Sequence, residues 1–393
     1  MSFLSSAQSL APRLLAQKQD LHAHPELSFQ EVRTTAILRE KLTALGLEVI
    51  DLGMDTGVVA LLRGGLPGKT VALRADIDAI CQQEPAGPGA SEVPGVMHAC
   101  GHDFHSAGLY GAAILLAEER ARLRGDVVFL FQPAEEITQG AAALLDHGLW
   151  AALPNPPVAL FGLHNRPELP WGQVAVVEGP IMAGKIHFEI VLRGLAGHGG
   201  SPHKCIDVIV PGADIVSALQ SVVSRSTDPM DPLVCSVCSI HAGTPENFAP
   251  DLLTMTGCIR AHRDEVLEHA QERIWTLARG IGEAHGCAVE VQFIPQVPIT
   301  YNSKEMTAIA RRAALAVVGA EQIVAPLPDL GSEDFAVFGQ EVPSFFYWLG
   351  SGKPGAQNPC WHSPDFRTDD RALPIAAALL AQAAVAGQLL INN

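Results

Sequence analysis

Between Met97 and His105 the chain reads Met-His-Ala-Cys-Gly-His-Asp-Phe-His. His98, Cys100, His102, Asp103 and His105 thus crowd three imidazoles, one thiol and one carboxylate into a single short segment. Imidazole and thiolate suit borderline-soft divalent metals such as zinc, and a carboxylate adds an oxygen ligand. A polar turn assembled by chance seldom has this mixture.

Other segments offer partners for such a centre. Pro133-Ala134-Glu135-Glu136 follows the apolar run Val127–Gln132. Adjacent carboxylates at a strand end can point different ways, one to bind metal and its neighbour to act as a general base. Taken alone, they read equally well as two solvated glutamates at a helix start. Leu163-His164-Asn165 follows the run Val158–Leu163, and Trp361-His362-Ser363-Pro364 holds another histidine. Each alone is an ordinary loop histidine. In Arg74-Ala75-Asp76-Ile77-Asp78, either aspartate could bind metal or orient the ring of a ligating histidine. Asp329 to Phe335 is a glycine turn opening a short helix, where capping alone accounts for Ser332 and the acids. Glycines on both sides of His198 permit close backbone approach or simply make a flexible turn.

The elements that must position these residues fall into three stretches. The first alternates helical periodicity, as in Glu31–Leu45, with short apolar strands at Val58–Leu62, Val71–Ala75, Val127–Phe131 and Val158–Leu163, and it predicts a helix over His105–Ala117. Such alternation predicts an α/β sheet buried on both faces. Residues 185–295 then read strand, helix, strand, strand, helix, strand, the βαββαβ order of a ferredoxin-like domain. The α/β style resumes beyond. The expected architecture is a larger metal-binding catalytic domain, 1–184 and 296–393, with a smaller domain inserted at 185–295.

Composition narrows the partners. The chain has 393 residues, 48% hydrophobic and 17% charged, with net charge −16. Without a basic face, nucleic acid is excluded as a partner. Eight cysteines spread singly through a long chain imply reduced thiols and a cytoplasmic protein. Cys235 and Cys238 form a C-x-x-C pair on a predicted strand, where residues three apart face opposite sides, so a shared zinc or redox role is not expected. The N-terminus has neither the basic region nor the apolar core of a signal peptide. Leu373–Ile391 is long and nearly uncharged, but it is alanine-rich, interrupted by Gln382 and Gln388, and read as a buried helix starting near Pro374 rather than a membrane span.

Together, RADIDA, MHACGHDFH, FQPAEE, GLHNRP, GHGGSPH and GSEDFA, in that order, resemble the aminoacylase–carboxypeptidase family of dinuclear metallohydrolases. The closer resemblance is to its branch of N-acyl-amino-acid amidohydrolases, with hippurate hydrolase and the hydrolases of auxin–amino-acid conjugates. It spans the chain from His24 to Pro364. It implies two divalent ions (zinc, manganese or cobalt) held by Cys100, His102, Glu136, His164 and His362, with Cys100 as the bridge. It implies Glu135 as catalytic base, Asp78 as the residue orienting a ligand, and less definite supporting roles for Asp76 and Asp103. The inserted domain would be a lid and dimerisation domain. His198 would reach the active site of a neighbouring subunit in a homodimer and steady the oxyanion. Asn247 and Arg260 would bind the substrate carboxylate. The chain departs from the usual family pattern at Phe248-Ala249-Pro250, Trp361 and Cys81-Gln82, positions that bear on the acyl pocket and not on the ligand set.

The expected activity is metal-dependent hydrolysis of an N-acyl amino acid, acetyl, benzoyl or similar. Bound metal lowers the pKa of water to about 7, Glu135 shuttles the proton, and Arg260 pairs with the planar carboxylate. The alternative is a dipeptidase or carboxypeptidase using the same site. A dinucleotide oxidoreductase is excluded because no G-x-G-x-x-G follows a strand.

Overall fold

The computed structural model describes residues 3–243 and 247–391. Its contacts divide the chain into two units. One runs to Gly179 and takes in Tyr301–Leu327 and the chain from Asp334; the other comprises Pro180–Thr300 and Pro328–Glu333.

The larger unit is built on an eight-stranded mixed sheet. Its strands are β1 (Glu48–Ile50), β2 (Val58–Leu62), β3 (Val71–Asp76), β4 (Val127–Gln132), β5 (Ala159–Pro170), β6 (Val174–Ala175), β7 (Ile323–Val324) and β8 (Ser344–Gly352). They lie in the order β1-β2-β4-β3-β5-β8-β6-β7. The central four, β4-β3-β5-β8, are mutually parallel. Every residue of β2, β3, β4 and β8 is buried. That burial on both faces is why these strands read as continuous apolar runs rather than alternating ones.

Helices α1 (Phe3–Ala23), α2 (Val32–Ala44), α3 (His102–Glu118), α4 (Gly140–Asp146), α5 (Lys304–Val318) and α6 (Leu373–Ile391) belong to this unit. Helix α3 is buried from His102 to Leu116. Helix α6 is long and apolar enough to cross a membrane, but 83% of the relevant window is buried inside the protein, packed on α1, α3 and α5. Its apolar composition therefore serves a core.

Two boundaries differ from the sequence reading. Helix α3 begins at His102, not His105, because Gly101 at φ +91° turns the chain directly into the helix. Strand β5 does not end at Leu163. Its ladder with β8 continues past Leu163, pairing Trp348 with His164 and Leu349 with Asn165. His164 and Asn165 are thus strand residues. The pattern hid this because polarity rises where the strand enters the site, while the backbone pairing goes on.

The smaller unit has four antiparallel strands, Gly184–Arg193, Leu233–Ala242, Leu252–Ala261 and Ala288–Val297, and two main helices, Ile209–Ser221 and Asp264–Ala284. The strands lie in spatial order second, third, first, fourth, and the chain order is βαββαβ. Phe188, Ile190, Met255 and Ile259 meet Ile215, Leu219 and Ile274 in a core of their own. Cys238 sits at a bulge and is exposed, whereas Cys235 packs on that core and burial pushes its thiol up to about 11. The C-x-x-C pair does not form one site. No disulfide joins any of the eight cysteines among the described residues.

Candidate metal centre

In the larger unit, the chain brings its acids, histidines and thiol to the carboxyl ends of the parallel strands. This is where open α/β sheets gather ligands. Asp76 ends β3 and Asp78 follows it. Cys100 precedes the glycine that opens α3, and His102 is that helix's first residue. Glu135 and Glu136 follow β4 in a turn where Ala134 has φ +54°. They do not open a helix, since α4 starts only at Gly140. His164 projects from β5. His362 sits in a loop at φ +62°. A positive φ at a residue with a side chain is strained, and such strain gathers at functional sites.

The side chains converge on two triads that share one atom. Ligand atoms of Cys100, His102 and His164 lie within 4.8 Å of one another, and so do those of Cys100, Glu136 and His362. Cys100 Sγ is 3.4 Å from His164 Nε2, and His362 Nε2 is 3.3 Å from Glu136 Oε2. For ligands about 2.0–2.3 Å from a tetrahedral ion, neighbouring ligand atoms stand roughly 3.3–3.8 Å apart. His102 Nε2 and Glu136 Oε1 lie 3.8 Å apart, both buried and both lacking a hydrogen-bond partner among the described residues. Leaving such atoms unpaired is costly, and cations held in the two triads would satisfy both. The residues fit a pair of divalent ions.

Charge points the same way. His102 Nε2 has the carboxylates of Asp76, Glu136 and Glu135 at 3.6, 3.8 and 4.0 Å. Burial opposes a charge on its ring, but Asp76, Asp78 and Glu136 overcome it and push His102 up to about 10. Without a metal, a proton there supplies the positive charge the acids demand. Burial and the neighbouring His105 hold His164 well below the usual imidazole range, in the neutral form that a metal ligand needs. Its Nδ1 donates to the Asn165 carbonyl at 2.7 Å, which leaves the Nε2 lone pair toward Cys100.

A ring of buried polar residues supports these groups. Asp78 Oδ1 meets His102 Nδ1 at 3.2 Å, and its Oδ2 accepts from the Glu136 backbone N–H at 3.0 Å. Asp76 Oδ1 meets His105 Nδ1 at 2.6 Å. His105 is therefore a buttress, since its other nitrogen faces the N–H of Asn165 at 2.9 Å. Asp103 meets His22 Nδ1 at 2.8 Å. Arg74, fully buried, donates to Asp76, Asp334 and Gln132.

Sequence reasoning missed the roles of Arg74, His105, Asn165 and Asp334. Asp334 precedes a four-residue helix, Phe335–Phe338, yet it makes no side-chain cap. It accepts instead from Arg74, Gln132 and the backbone of Ala141, and burial pushes it up to about 6 despite the guanidinium. The capping explanation for that acid does not hold. No local signal marks it, because its partners lie far away in the chain.

The smaller unit carries the other expected site residues. Gly197-His198 pairs with Phe248-Ala249 in a two-stranded ribbon, and the Gly199 N–H donates to the Asn247 carbonyl at 2.9 Å. His198 is exposed, and its Nδ1 accepts from the Gly200 N–H at 2.9 Å, so Nε2 carries the proton. A Cβ on Gly200 would stand 3.1 Å from that nitrogen, so glycine suits the turn. Arg260, half-buried, donates to the Leu330 carbonyl and Ser332 Oγ. His198 and Asn247 are neighbours; Arg260 stands on another strand.

Comparison with known proteins agrees with this chemistry. Residues 72–386 match the peptidase family M20/M25/M40. The chain is similar to an N-acetylcysteine deacetylase of Bacillus subtilis, 42% identical over 95% of this chain and 96% of the relative. It is similar to an IAA-amino acid hydrolase (ILR1-like 2) of Arabidopsis thaliana, 36% identical over 94% of this chain and 83% of the relative. The crystal structure of the Bacillus subtilis YXEP protein, a dinuclear metal binding peptidase from the M20 family, superposes with a TM-score of 0.84 at 39% identity, covering 96% of this chain and 98% of that one. The chain belongs to peptidase family M20/M25/M40, as a metal-dependent amidohydrolase.

Proposed function

We propose that the protein hydrolyses the amide bond of N-acyl amino acids, releasing a carboxylate and a free amino acid. The observation that carries this reading is the pair of triads meeting at Cys100 with Glu135 beside them. Cys100, His102, Glu136, His164 and His362 would hold two divalent ions. Bound there, the ions would lower the pKa of water to about 7 and polarise the scissile carbonyl.

Glu135 is the base. It is 6% exposed and clusters with His102 and Glu136, so it can take the water's proton and later hand it to the leaving amine. Asp78 holds the His102 ring in place. His198, with its proton on Nε2, is a suitable donor for the oxyanion and would serve a neighbouring subunit in a homodimer. Arg260 and Asn247 would take the amino-acid carboxylate. A guanidinium pairs with a planar anion through two parallel hydrogen bonds. The similarity to a deacetylase and to an amino-acid-conjugate hydrolase supports an N-acyl amino acid as substrate.

The test is a panel of acetyl-, benzoyl- and aminoacyl-amino acids, each with and without its free carboxylate, presented to metal-loaded and chelator-treated enzyme. The proposal expects cleavage of N-acyl amino acids by the loaded form, and loss of cleavage when the carboxylate is amidated. Exclusive cleavage of aminoacyl substrates would reassign the enzyme as a dipeptidase.

A further inference from the structure

Asn165 is fully buried directly beside the ligand set, and nothing in the proposed chemistry uses it. Its contacts reach three of the segments that form the thiol-sharing cage. Side-chain Nδ2 donates to the Cys100 carbonyl at 2.6 Å and lies 2.9 Å from His105 Nε2. Oδ1 accepts from Trp361 Nε1 and from Ser351 Oγ, each at 3.3 Å. Its backbone N–H donates to His105, and its carbonyl accepts from His164 Nδ1. A single amide therefore touches the segment bearing Cys100, the strand bearing His164, and the loop bearing Trp361 and His362.

Two further features belong to the same arrangement. A Cβ on Gly101 would stand 2.5 Å from Asn165 Nδ2, so the bare glycine between Cys100 and His102 makes room for the amide. The Trp361 ring meets the His164 ring edge-on, with centroids 5.0 Å apart, so the loop that Oδ1 anchors also packs against a ligand. Only a primary amide of this length offers two donors and an acceptor from one rigid plane. An aspartate would turn an acceptor toward the Cys100 carbonyl, and an aliphatic side chain would leave buried polar atoms unpaired.

We propose that Asn165 is a positioning residue that fixes the spacing of Cys100, His164 and His362, and thereby the affinity of the site for its ions. The proposal rests on the reading of those three as metal ligands. Residues that orient ligands typically change metal affinity about 10- to 100-fold when replaced.

The test is a cobalt(II) titration of metal-free wild type, Asn165→Asp and Trp361→Phe, read by the thiolate-to-cobalt charge-transfer band and by a competing chelator. Circular dichroism of each metal-free form reports folding. We expect Asn165→Asp to fold, to bind cobalt about 10- to 100-fold more weakly, and to show an altered thiolate band. A merely structural residue would lower the unfolding temperature and leave the dissociation constants and the band unchanged; that result overturns the proposal. If Asn165→Asp does not fold, Trp361→Phe decides, with about tenfold weaker binding of one of the two ions expected and unchanged binding overturning the clamp. A wild type that takes up cobalt without any thiolate band would instead refute the ligand assignment beneath it, an outcome distinct from failure of the clamp.

Discussion

Asp78 faces two ways at once: Oδ1 stands 3.2 Å from His102 Nδ1, and Oδ2 accepts the backbone N–H of Glu136 at 3.0 Å. One carboxylate thus fixes the ring of one proposed ligand and the backbone of another. Because Nδ1 is engaged, the Nε2 lone pair of His102 is the one available to a metal. Asp78→Ala should lower metal affinity about 10- to 100-fold while the protein still folds. Isothermal titration with zinc checks this, and an affinity equal to wild type would remove Asp78 from the account.

The proposed mechanism gives the adjacent Glu135 and Glu136 different roles. Glu135→Ala should abolish turnover and leave two metal equivalents in place, whereas Glu136→Ala should lose metal as well. Metal analysis of both variants beside an activity assay separates the two. Activity near wild type in Glu135→Ala would refute the base assignment.

His198 presents its Nε2 proton because Nδ1 accepts from Gly200. His198→Ala should lower kcat by roughly 10²- to 10³-fold, the usual loss for one oxyanion donor. If the histidine serves a partner subunit, mixing His198→Ala with Glu135→Ala should restore some activity, because one site in the heterodimer then has both groups. Verified heterodimers with no recovered activity would confine His198 to its own subunit.

Glu31 is buried, its Oε1 accepts the Ala134 N–H at 2.9 Å beside Glu135, and burial pushes its carboxyl from 4.5 up to about 7. The folded state therefore favours the protonated acid. The stability this contributes is complete below about pH 4.5 and is lost as pH rises through about 7, a range of about 3 to 4 kcal/mol at most. Glu31→Gln keeps the acceptor for Ala134 and removes the titration. In metal-free protein, the unfolding temperature of Glu31→Gln should match wild type near pH 4.5 and exceed it increasingly toward pH 7.5. A gap that does not change with pH would show that folding does not raise the Glu31 carboxyl.

Much of the centre was legible in the chain because its chemistry is local. Cys100, Gly101 and His102 are consecutive, and the two glutamates are adjacent and follow an apolar run that folds as the parallel strand β4. The βαββαβ unit was legible from alternation, since its two central strands bury every second residue. The supporting residues were not. Asn165 is 65 positions from Cys100 and 196 from Trp361, and Arg74 is 260 from Asp334, so no spacing rule connects them. Their meeting follows from sheet order, with β3 and β5 side by side in space while β4 separates them in sequence. Asp334 resembled a helix cap for the same reason, as its true partners lie on β3, β4 and α4.

The central claim is that Cys100 lies between two ions. The most direct measurement is a crystal structure of zinc-loaded protein with anomalous scattering recorded at the zinc edge. The account predicts two peaks in the larger unit, both about 2.3 Å from Cys100 Sγ, with His102 and His164 completing one set of ligands and Glu136 and His362 the other. A single peak, or two peaks of which neither contacts Cys100, would contradict it.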